Sequence, residues 1–136
     1  MPKKVPGLKW ILIIYAAAAV VWAVLEGNLG WTVLLGFLTS SILVGWMIQK
    51  ILGGREISIS VWIAAAAFTG LLWGIGGSVF TLFYMALKTG LHAHGPEYSG
   101  LEVNWVIQQI PFWAAAGLLG GVGIGLLSSA ISRSTS

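Results

Sequence analysis

His92 and His94, in the stretch Leu91-His92-Ala93-His94-Gly95-Pro96-Glu97, are the one concentration of ligand-type side chains in the chain. Two imidazoles and the Glu97 carboxylate are donor types that hold zinc or another divalent ion. An imidazole near a membrane surface is also a ligand type for haem or a chlorophyll-like pigment. Against that, the spacing is short, no third histidine exists, and Gly95-Pro96 is turn chemistry. The plainer reading is a loop with two surface histidines and no cofactor, with a metal- or pigment-binding subunit as the alternative.

Other chemistries find less. The chain has no cysteine, which excludes disulfides, thiol catalysis and cysteine-ligated metals. There is no Gly-x-Ser-x-Gly elbow, no phosphate-binding glycine loop and no His-Glu-x-x-His. Gly120-Gly121-Val122-Gly123-Ile124-Gly125 has the look of a dinucleotide fingerprint. It lies inside an apolar run rather than after a strand, so the context that motif needs is missing. No catalytic residue is assigned, and the chain is not expected to be an enzyme.

The elements that carry these residues are set by composition. Hydrophobic residues make up 57% of the 136, and charged ones only 8%. A soluble domain carries about 25% charged residues to hold water at its surface, so most of this surface must face lipid. The expectation is an all-α integral membrane protein, four transmembrane helices in an antiparallel bundle within a single domain. The spans are placed at residues 8–25, 31–52, 59–87 and 111–131, with an outer loop at 88–110. A secretory signal is the rival for the first span. Its apolar run exceeds the roughly 7–15 residues of a signal core, and Ala16 to Ala19 lie in mid-run, so a retained helix is expected. Within the loop, Ser99-Gly100-Leu101-Glu102 reads as a capping box. It opens a short interfacial helix before the fourth span, kinked or ended by Pro111.

With four spans, Lys3, Lys4, Lys9, Lys50, Arg55 and Arg133 share one side, and Lys88 alone lies opposite with Glu26, Glu97 and Glu102. Positive residues concentrate on the cytoplasmic side. A multi-pass protein of the cell membrane with both termini cytoplasmic is the expectation. The net charge of +3 is scattered over span ends and forms no basic stripe, which sets nucleic acid aside.

No ionisable residue falls in the middle of an assigned span, which argues against a proton-coupled transporter. Thr39, Ser40, Ser41, Thr69, Ser78 and Thr81 would line a channel for a neutral or weakly polar solute. The plainer expectation is that these hydroxyls bond their own backbone or a neighbouring helix. Small residues recur every fourth position as Gly70, Gly74 and Ser78, and as Gly117, Gly121 and Gly125, with Thr32, Gly36 and Ser40 on the second span. Such faces let helix backbones approach closely. They serve the bundle itself, a second copy, or another membrane subunit, and the leading expectation is a packing or accessory subunit of a membrane complex. The first two spans, with Trp22, a short outer turn, Gly36 and a basic inner end, resemble the E subunit of multisubunit cation/proton antiporters. The fourth span and the histidine loop depart from that pattern, so no functional residue is transferred.

Overall fold

The computed structural model describes residues 8–24, 28–91 and 97–134. Four helices follow one another: α1 (Leu8–Val24), α2 (Leu29–Leu52), α3 (Ile59–Leu91) and α4 (Gly100–Ser134). Among the described residues there is no strand. α2, α3 and α4 are each long and apolar enough to cross a membrane, while α1 is a shorter apolar helix of 17 residues. At about 1.5 Å per residue α3 and α4 reach roughly 50 Å. The hydrocarbon core is about 30 Å thick, so a helix of that length that crosses it tilts or protrudes.

Local chemistry explains the ends. Asn28 caps α2 by accepting the Trp31 N–H at 3.3 Å. At the other end the Gly53 N–H donates to the Gln49 carbonyl at 2.9 Å, and Gly54 turns the chain at φ 78°. That is the left-handed region, which glycine enters without steric cost. The short Gly53-Gly54 turn sends α3 back along α2. The capping box at Ser99 is formed: the Ser99 N–H and Oγ donate to Glu102 Oε2 at 2.8 and 2.9 Å, and the Glu102 N–H donates to Ser99 Oγ at 3.2 Å.

The helices run further than hydropathy places them. Residues 88–91 belong to α3, and residues 100–110 belong to α4, so most of the stretch expected as an outer loop is helical. The expected interfacial helix is the first part of α4 and not a separate element, and Pro111 sits inside that helix. Proline there removes one N–H, the partner of the Ile107 carbonyl. Breaking the helix in lipid would free several more backbone groups, where each unsatisfied one is costly.

α3 is the central helix. It packs most extensively on α4, then on α2, and α1 lies lightly against α2. A Cβ on Gly70 would collide with the Gly117 carbonyl oxygen, and one on Gly117 with the Gly70 carbonyl. Gly74 stands equally close to the Trp113 carbonyl and Gly121 to that of Ala66. Both glycine stripes are therefore spent on each other within the chain. The α2 stripe meets α3 in the same way, with Gly36 against Gly77 and Thr81, and Ser40 donating to the Trp73 carbonyl at 3.0 Å.

Candidate functional site

The last turn of α1, the first turn of α2, the end of α3 and the segment before α4 meet in one polar cluster. Its centre is Lys88, only 1% exposed. Lys88 Nζ donates to the Trp22 carbonyl at 2.9 Å, lies 4.9 Å from the centre of the Trp22 ring, and stands 3.8 Å from Glu97 Oε2. The final carbonyls of a helix have no partner within it and carry the negative end of its dipole. Lys88 therefore closes the C-terminal end of α1 from another helix.

Trp22 ties the cluster further. Its indole N–H donates to Thr32 Oγ1 at 2.9 Å, and Tyr98 OH lies 2.6 Å from the same oxygen. The Thr32 hydroxyl donates its one proton to the Asn28 carbonyl at 3.0 Å. Thr32 must then accept from both Trp22 and Tyr98, which fills its two lone pairs. Burial pushes the Tyr98 phenol above its ordinary value, so it holds the proton that this arrangement requires. Below it Met85, Tyr98 and Val106 form a small apolar core, with Leu29, Leu82 and Val103 against them.

A second cluster joins three helices deeper in the bundle. Tyr15, Thr39 and Tyr84 place three hydroxyls in a triangle with sides of 2.7, 3.0 and 3.0 Å. Thr39 also donates to the Leu35 carbonyl at 2.8 Å. The Trp22 and Tyr84 rings pack edge to face at 5.4 Å between centres, linking this triangle to the Lys88 cluster.

The expected site residues divide as follows. Gly70, Gly74, Gly117 and Gly121 form the α3–α4 seam, with Gly125 at its end, where a Cβ would stand 3.0 Å from Ile63 Cα. Ser78 is buried and donates to the Gly74 carbonyl at 3.3 Å. His92 and His94 lie outside the described residues, and Glu97 pairs with Lys88. Among the described residues no three histidine, cysteine or carboxylate side chains come together. Of the hydroxyls weighed as a channel lining, Thr39, Ser41, Thr69, Ser78 and Thr81 each donate to the carbonyl four residues earlier.

Lys88, Tyr98, Tyr15 and Tyr84 belong to no motif in the sequence, and Thr32 and Trp22 stand out there for other reasons, as a small residue on the second span and as an aromatic near its outer turn. One signal for Lys88 was present, since it continues the helical spacing of Gly74, Gly77, Ser78, Thr81 and Met85, all buried on α3.

Between α2 and α4, over α3, a slot of about 470 Å³ opens sideways. Gly45, Ala66, Gly70, Ala116 and Gly120 form its walls, with Trp62 at one end and Trp73 at the other. The Trp73 indole donates to Ser41 Oγ at 2.8 Å. A second cavity of about 500 Å³ adjoins it at Trp62, lined by Arg55, Glu56, Ser128 and Ser129 among others. Comparison with protein families, curated proteins and solved structures finds no match to this chain.

Proposed function

We propose that the chain is a four-span protein of the cell membrane, with both termini cytoplasmic, that acts without catalysis of its own as a packing or accessory subunit. Its partners are the lipid bilayer and other membrane proteins, or further copies of itself. α1 serves as the fourth span: 17 residues rise about 25 Å, the short end of the spanning range. Lys9 is exposed at its start, where a lysine stem can lie along apolar surface with its head in water. The orientation follows from the six basic residues on the side of the termini.

The observation that carries the role is where the polar groups are used. The hydroxyls of Thr32, Thr39, Ser40, Ser78 and Thr81, the indole N–H of Trp22, Trp62 and Trp73, and the buried Lys88 bond inside the bundle. The outer faces of the helices carry large apolar side chains, including Trp10, Ile14, Phe68, Leu119 and Leu127. A molecule so arranged offers neighbours shape and apolar surface. A channel for a polar solute needs a continuous row of hydroxyls turned to water, and here five of six hydroxyls are turned to their own backbone.

Gentle extraction through a C-terminal tag tests the role. The expected result is a stoichiometric membrane partner or a defined homo-oligomer. A lone monomer without partners overturns it. Topology is read separately with single cysteines, which this cysteine-free chain makes clean. Asn28→Cys should react with an impermeant reagent on intact cells and Arg55→Cys should not.

A further inference from the structure

The slot between α2 and α4 has a closed end and an open end. At the closed end Phe37 packs against Trp73 and Trp113, with ring centres 4.9 and 5.0 Å apart, and fills the crevice between the two helices. At the open end Trp62 borders both the slot and the cavity that holds Arg55 and Glu56. The Trp62 indole is pinned there by its hydrogen bond to Ser128 Oγ, 2.6 Å. From Ala116 in the slot to Ser129 at the mouth, α4 rises about 20 Å. Half of the hydrocarbon core is about 15 Å. The cleft therefore has the depth of one leaflet, from the middle of the membrane to its surface.

That depth decides the occupant. A partner helix crossing the membrane would need a matching furrow over the full thickness of about 30 Å, and the aromatic plug at Phe37 interrupts it halfway. An empty apolar slot facing lipid would forfeit the dispersion contacts of its walls. A single acyl chain of one leaflet fits both the depth and the apolar lining, and the volume lies within the roughly 300–1,000 Å³ of small-molecule sites. The mouth carries one positive and one negative side chain, Arg55 and Glu56, beside the hydroxyls of Ser128 and Ser129. A guanidinium is suited to phosphate, and a carboxylate to an ammonium.

We infer that the slot seats one zwitterionic phospholipid, an acyl chain lying between α2 and α4, its phosphate at Arg55 and its cationic headgroup at Glu56. This rests on the membrane embedding of the helices and not on the role as an accessory subunit.

The test is native mass spectrometry of the full chain released from nanodiscs of equal phosphatidylethanolamine and phosphatidylglycerol. The wild type should carry one phospholipid, phosphatidylethanolamine several-fold over phosphatidylglycerol. Gly45 and Gly120 line the slot, and a Cβ at either would meet nothing within 4 Å. Gly45→Leu and Gly120→Leu should therefore fold and lose the lipid several-fold. Gly123 is equally open but outside the lining, so Gly123→Leu should retain it. Arg55→Gln should weaken retention without altering the fold. The inference is overturned if the wild type carries no lipid, if phosphatidylglycerol is held as well or better, or if Gly120→Leu keeps its lipid. It is also overturned if Gly120→Leu abolishes a dimer in place of lipid binding, which would assign the slot to a second copy.

Discussion

Lys88 Nζ donates to the backbone carbonyl of Trp22, 66 residues earlier in the chain, at 2.9 Å. The bond fastens the end of α3 to the end of α1, a helix that otherwise touches the bundle sparsely. An ammonium buried to 1% exposure is tolerable only with partners around it. Here they are a helix-end carbonyl, an indole face and the Glu97 carboxylate.

Replacing Lys88 by methionine keeps the stem and removes all three polar contacts. The Trp22 carbonyl and Glu97 then lose a shared partner, a change that costs about 1–3 kcal/mol for a buried group. Thermal unfolding of Lys88→Met in detergent, followed by tryptophan fluorescence, should show a clear fall in Tm. The double variant Lys88→Met with Glu97→Gln should lose less than the two single losses added together. A methionine variant as stable as the wild type would show that the cluster is incidental.

Tyr98 gives a spectroscopic check on the same cluster. Its phenol is raised first by burial, so the neutral form is favoured in the fold and the folded chain holds the proton to higher pH than the unfolded one. The linked stability is complete below the ordinary tyrosine value of about 10 and falls as pH rises through the folded value. The difference in phenolate absorbance between wild type and Tyr98→Phe should therefore titrate above that ordinary value. A difference curve at or below it would contradict the buried donor role at Thr32.

The α3–α4 seam separates two neighbouring glycines sharply. A Cβ on Gly121 would meet the Ala66 carbonyl, whereas one on Gly123 meets nothing within 4 Å. Gly121→Leu should destabilise by at least about 1–3 kcal/mol, the usual range for overpacking, and the backbone cannot yield as a flexible side chain would. Gly123→Leu should be close to neutral. Unfolding of both in mixed micelles settles the comparison, and equal stabilities would refute the seam.

Much of this was open to reading from the chain, and the reasons for the exceptions are physical. The apolar runs, the Gly53-Gly54 turn, the Ser99–Glu102 box and the glycine stripes are local patterns, and local patterns survive in a sequence. Hydropathy treats a charge as a boundary, so it ends the third span at residue 87 and leaves Lys88 in the outer loop. Its helical register with Thr81 and Met85 puts it on the buried face instead. Pro111 reads as a kink or an end of the helix, and the helix does not end there, because in lipid a continued helix leaves fewer backbone groups unpaired. The Tyr15–Tyr84 contact joins residues 69 apart, and the slot is a space where no side chain reaches. Neither leaves a periodic trace.

The hydroxyl triangle yields the most specific expectation, because its protons can be counted. Tyr15, Thr39 and Tyr84 bring three protons, and Thr39 commits its own to the Leu35 carbonyl. Two protons remain for three contacts of 2.7 to 3.0 Å, so one contact is always without a donor. Removing the Tyr15 hydroxyl leaves a complete chain, Tyr84 to Thr39 to Leu35, and relieves the surplus contact. Removing the Thr39 hydroxyl leaves two phenols with only each other, and one of their protons loses its acceptor. Hydrogen bonds between membrane helices average about 0.6 kcal/mol, with a maximum near 1.7. Tyr15→Phe should fall at or below the average and Thr39→Val towards the maximum. Unfolding in mixed micelles measures both, and a larger loss for Tyr15→Phe would mean that the phenol, and not the threonine, is the hub of the triangle.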